Sequence, residues 1–107
     1  MFYKKDESKY KKALEGISFK TLVYGEKTLL SEFRLEKGSV VPMHQHPYEQ
    51  TGYIISGRMN FTIGEEKFVA KPGDSWSIPE NVEHGVEVLK DAIVIEVFSP
   101  VREDYLP

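Results

Sequence analysis

From residue 17 onward the chain alternates short runs rich in Val, Ile, Tyr, Phe and Thr with turn-forming residues. Ile17 to Tyr24 ends at Gly25-Glu26, and Lys27 to Glu36 ends at Lys37-Gly38. Further runs cover Gln50 to Ile55, Arg58 to Ile63, Lys67 to Lys71, Ser75 to Ile78, Gly85 to Leu89 and Ala92 to Phe98. Ser56-Gly57, Gly64-Glu65 and Pro72-Gly73-Asp74 punctuate them. Turns every ~8–12 residues between β-branched and aromatic runs predict an all-β sandwich or barrel. Gly38, Gly57 and Gly73 are expected to supply positive φ or a close backbone approach. Only residues 5–14 have helical character, so an N-terminal arm over 1–16 is expected to hold a short helix or turn. A single domain over 17–107 follows it. Roughly 8–10 short strands without a disulfide fit a jelly roll or another two-sheet barrel, whose interior can hold a ligand.

Composition narrows the picture. A length of 107 residues is one domain's worth. A hydrophobic content of 40% excludes a disordered chain. No apolar run approaches ~18 residues, so no membrane span is expected. The net charge of −3 lacks the basic excess of a nucleic-acid binder. Lys4, Lys5, Lys9, Lys11 and Lys12 are mixed with Asp6 and Glu7 and read as a solvated turn. No apolar h-region follows these lysines, which leaves a cytoplasmic location as the expectation. Cysteine is absent, so a metal must be held by nitrogen or oxygen ligands.

The three histidines are His44, His46 and His84. On an extended strand His44 and His46 point to the same face, where they can share one ion. If the strand persists past Pro47, the same parity brings Gln50 to that face. If Pro47 breaks it, Glu49 is the rival. A neighbouring antiparallel strand can bring His84 alongside. The frame around these residues resembles the cupin superfamily. Gly38, His44, His46, Gln50 and Gly57 fall in the register G-x5-H-x-H-x3-E-x6-G, with Gln for Glu. Gly73, Pro79 and His84 match G-x5-P-x-G-x2-H-x3-N, with Asn81 at the inner glycine. The resemblance covers residues 17 to 100 and implies a double-stranded β-helix barrel with a metal in its mouth.

A narrower resemblance adds detail. His44-Gln-His-Pro-Tyr-Glu-Gln-Thr-Gly-Tyr53 and Ile95-Glu-Val-Phe-Ser-Pro-Val-Arg-Glu-Asp-Tyr105 are similar to segments of the small single-domain cupins of the KdgF group, associated with pectin degradation. That resemblance implies metal ligation by His44, His46, Gln50 and His84. It places the group's catalytic Asp at Glu96, one methylene longer, and its Arg at Arg102. Val101 stands where the group has a second Pro.

Glu96 also stands out on physical grounds. Ala92 to Phe98 is apolar on both parities apart from Glu96, as in a buried strand. A carboxylate there must face a pocket, a cation or a solvent channel. The alternative is an outward-facing Glu on a half-exposed strand, which the apolar Val94 and Phe98 of its parity oppose. Arg102 could pair with Glu96, clamp a substrate carboxylate bidentately, or bridge to Glu103 or Asp104. Phe98 and Tyr53 are expected as pocket walls, with the other aromatics in the core.

Imidazole-rich sites suit Ni, Zn, Fe, Cu or, less well, Mn. The resemblance implies an enzyme that opens the ring of an unsaturated uronic acid sugar or a related small sugar acid, in a homodimer. The alternatives are an Fe-dependent small-molecule dioxygenase and a non-catalytic binding module.

Overall fold

The computed structural model describes residues 1–107 and is built almost wholly from strands. In chain order these are β1 (Lys11–Leu14), β2 (Ile17–Tyr24), β3 (Leu29–Leu35), β4 (Val40–His44), β5 (Glu49–Ile63), β6 (Glu66–Ala70), β7 (Ser75–Ile78) and β8 (His84–Ser99). A short 3-10 helix covers Glu103–Tyr105. No helix is long and apolar enough to cross a membrane. The N-terminal segment is extended rather than helical: residues 1–10 have no regular structure, and β1 pairs antiparallel with β2 through a turn at Glu15-Gly16.

Two long strands, β5 and β8, organise the molecule. Each was expected as two separate runs, those of β5 divided by a turn at Ser56-Gly57. Each is instead continuous and bends at a bulge, β5 around Ser56-Gly57 and β8 around Lys90-Asp91. The bends lie opposite each other, with Ser56 paired to Ile93 and Arg58 to Lys90. Gly57 takes φ +92, and a Cβ on it would stand 2.3 Å from the Asp91 carbonyl oxygen. Only glycine allows this approach without strain. Bulges of this kind bend a strand and raise its twist.

Because both strands bend, each contributes to two sheets. The C-terminal half of β8 pairs with β3 on one side and the N-terminal half of β5 on the other. β2 and β1 extend this layer past β3, and β7 adds to β5. The N-terminal half of β8 pairs with β4 and with the C-terminal half of β5, which pairs in turn with β6. The two layers enclose an interior of Ile17, Leu35, Ile54, Met59, Phe61, Trp76, Ile78, Val88 and Val94. Full burial of a residue such as Phe61 contributes roughly 1.5–3 kcal/mol. This is the expected two-sheet barrel.

Alternation along β8 decides which side chains enter the interior. Ala92, Val94, Glu96 and Phe98 are buried, while Ile93, Ile95 and Val97 lie half-exposed on the outer face. Glu96 is therefore directed inward. Tyr53, paired with Ile95, is directed outward at 49% exposure, so it is not a pocket wall.

Candidate metal and acid–base site

His44 closes β4 and pairs directly with His84, the first residue of β8. The chain then leaves the strand, and His46 lies in the loop before β5. That loop is fixed by the Asn81 backbone N–H, which donates to the His46 carbonyl at 2.8 Å. Asn81 has φ +62, a left-handed conformation that Asn tolerates better than most residues, which explains how it fills a glycine position of the motif.

Gln50 enters the site by a different route from the one expected. Strand parity does not run on from His46, because β4 ends at His44. Gln50 faces inward because it pairs with Ile78 and Phe98, both fully buried, and lateral neighbours share a face. Glu49 pairs with Ser99 and is exposed. The choice between the two thus falls to Gln50 as the residue beside the histidines.

The three histidines offer nitrogens that all lie within 4.8 Å of one another. Each Nδ1 sits against a backbone carbonyl: His44 on Pro42 at 2.9 Å, His46 on Tyr48 at 3.2 Å and His84 on Val82 at 2.9 Å. An Nδ1–H donating to each carbonyl leaves every Nε2 with a bare lone pair. His84 Nε2 is buried without a partner, and His46 Nε2 faces Gln50 Oε1 at 3.0 Å. Two acceptors that close repel unless a cation lies between them. About 3 Å is the separation of two donors at a right angle around an ion with bonds of ~2.1 Å. The residues therefore fit a divalent ion.

Electrostatics agree with that fit. Burial pushes His84 down to about 4, with the neighbouring His44, His46 and Arg102 acting in the same direction. Burial, then the charge of Arg102, also lowers His46. Neutral imidazole is the ligating form, so both groups are poised to coordinate.

Glu96 lies beside this cluster, 5% exposed. Burial pushes its carboxyl up to about 8, against the opposing hydrogen bonds from Gln50 and Trp76. The amide of Gln50 can donate to this carboxyl while its oxygen turns toward the histidines. A Glu at position 50 would instead set two carboxylates against each other in a buried space, which gives a physical reason for Gln there.

Arg102 does not pair with Glu96. Its Nε and Nη2 donate to Asp104 at 3.2 and 2.7 Å, the surface pairing weighed as the alternative. The guanidinium nonetheless sits over Tyr105 at 3.9 Å and Phe98 at 4.9 Å, and its side chain is 15% exposed. Tyr105 seats the segment through its ring against Phe19 at 4.4 Å and its carbonyl, which accepts from Thr21 Oγ1 at 2.6 Å. Arg102, Glu96, Gln50 and the three histidines all line one cavity of about 390 Å³ walled by Phe98, Val94 and Met59. Trp76 was expected only as core. It is core, and its indole N–H also donates to Glu96.

A β-barrel whose mouth gathers three imidazoles and a buried carboxyl defines a class before it defines a protein. Residues 31–98 match the cupin domain family, Cupin_2, and the chain belongs to that family. Within it, the chain is 29% identical over 103 residues to the pectin degradation protein KdgF of Dickeya dadantii, covering 94% of each. The solved structure of KdgF from a Halomonas species superposes with a TM-score of 0.92 at 30% identity, over 99% of this chain and 98% of that one. An RmlC-like cupin from Shewanella frigidimarina also gives 0.92, at 25% identity over 98% and 95%.

Proposed function

We propose that this chain is a metal-dependent enzyme that opens the ring of a 4,5-unsaturated uronic acid to give the linear keto acid. The observation that carries the proposal is the convergence of the buried Glu96 carboxyl, the histidine cluster and Arg102 on one cavity. The role in pectin degradation named for the Dickeya dadantii relative supports the substrate class.

In this reading Arg102 holds the sugar carboxylate. Asp104 occupies one edge of the guanidinium, so the Nη1 protons are left to donate to the substrate. Glu96 moves protons. The C1 hydroxyl gives up its proton, the C1–O5 bond breaks, and the released enol oxygen is protonated. The enol then gains a proton at C4 and loses its hydroxyl proton, ending as a ketone. Nothing is oxidised, so the work is general acid–base transfer that one carboxyl can perform. An ion held by His44, His46, Gln50 and His84 supplies Lewis-acid stabilisation of oxygen-borne charge when bound.

Metal-loaded protein mixed with unsaturated galacturonate is expected to abolish the enol-ether absorbance faster than buffer does. A rate equal to buffer with metal bound would overturn the proposal.

We further propose a homodimer. Its support is the apolar outer face, where Tyr53 and Ile55 are exposed beside Ile95. Light scattering is expected to give the mass of two chains, and a single-chain mass would refute the dimer.

A further inference from the structure

Gly52 stands between two large side chains. In the antiparallel ladder it pairs with Trp76 of β7 on one side and Glu96 of β8 on the other. Lateral neighbours share a face, so the three positions line up across the interior side of the sheet. A Cβ on Gly52 would lie 2.2 Å from Trp76 Nε1 and 2.4 Å from Glu96 Oε2. The missing side chain opens the space in which the indole N–H reaches both carboxyl oxygens, at 3.2 and 3.3 Å.

The indole is itself well fixed. Trp76 is buried in the core, with its ring 4.9 Å from that of Phe61. Packing alone would be met by a Phe, whereas a buried N–H requires an acceptor. Here the acceptor is the carboxyl that shares the cavity with the histidines. Glu96 Oε2 occupies the very space that a side chain on Gly52 would fill.

We infer that Trp76 is a positioning residue: across the gap left by Gly52, its indole N–H fixes the Glu96 carboxyl, which holds the Gln50 amide with its oxygen toward the histidines. The catalytic consequence rests on the reading of Glu96 as the proton-transfer group. The contact itself does not. Hydrogen-bonded partners of this kind orient ligands and acids that they never replace.

Trp76 is the only tryptophan, so its indole gives a single, unambiguous N–H resonance. In the wild-type protein this proton is expected at low field, moving upfield in Glu96→Ala, which removes its acceptor. An unmoved resonance would overturn the inference whatever the protein catalyses. In the uronate assay, Trp76→Phe is expected to keep its metal stoichiometry and KM while kcat falls about 10-fold. The same substitution in the Glu96→Gln background is expected to cause no further loss, since Trp76 acts through Glu96. Independent, multiplicative losses would show a merely structural role and refute the inference. A wild-type protein inactive on the uronate would sink the functional reading, and the indole resonance would then decide the positioning role alone.

Discussion

Alanine at position 84 is expected to abolish metal binding while leaving the barrel folded. His84 is the most buried of the three imidazoles, and its Nε2 has no partner among the protein's own groups. Removing it deletes a ligand at the start of β8, where no neighbouring side chain can substitute. Loss of even an outer-shell partner typically costs 10–100-fold in metal affinity, so loss of this ligand should cost at least about 100-fold. Thermal unfolding provides the measurement. At a metal concentration about 100 times the wild-type Kd, binding stabilises the native state by about 2.7 kcal/mol. For a domain of this size that raises Tm by on the order of 10 °C. His84→Ala is expected to show almost no rise at the same concentration, and metal analysis after dialysis should find the variant empty. Equal metal-dependent shifts in the two proteins would rule out His84 as a ligand. Burial keeps His84 neutral down to about 4, so proton competition at this residue should not weaken wild-type binding near neutral pH.

The route to this cluster was partly legible in the residues. The His44-x-His46 spacing and the turn glycines located the cluster and the barrel. Gln50 is not reached by a strand running on from His46 through Pro47: the chain crosses from β4 to a new strand, and Gln50 is inward because Ile54 and Gly52 of β5 set the parity. Ser56-Gly57 favours a turn, yet it sits at a bulge opposite a second one near Lys90-Asp91, because continuous pairing of β5 with β8 outweighs the local preference. The N-terminal segment failed as a helix for a related reason: β1 gains ladder hydrogen bonds at the free edge of β2.

Long-range polar partners were the least legible feature. Nothing in the local sequence links Trp76 to Glu96, twenty residues apart, because the contact depends on two separate strand pairings to Gly52. A glycine inside a run that otherwise alternates as a strand was the available sign, since it marks close approach of another group. Arg102 illustrates the opposite case. Asp104, two residues away, captures one edge of its guanidinium through a local contact, while Glu96 is held by Trp76 and Gln50 instead.

Glu96→Gln is expected to separate catalysis from stability. With metal retained, turnover of the unsaturated uronate should fall by roughly 10²–10⁴-fold, the usual contribution of a positioned acid or base. Unchanged turnover would remove Glu96 from the mechanism and favour a binding role for the cavity. The metal-free protein should show the opposite effect on folding. Glu96 has an ordinary value of 4.5, and burial raises it to about 8 in the folded chain. The folded state therefore binds this proton more tightly than the unfolded state. The stability it contributes is complete below about 4.5 and is lost as pH rises through about 8. Gln has no proton to lose and keeps the shape of the protonated acid. Urea unfolding of the metal-free proteins between about pH 5 and pH 9 should then show the variant gaining steadily on the wild type. Parallel pH profiles would mean that Glu96 is not held in a desolvated site. A variant that is more stable and inactive is the mark of a carboxyl kept against the interest of folding, and the cavity beside the histidines supplies the reason to keep it.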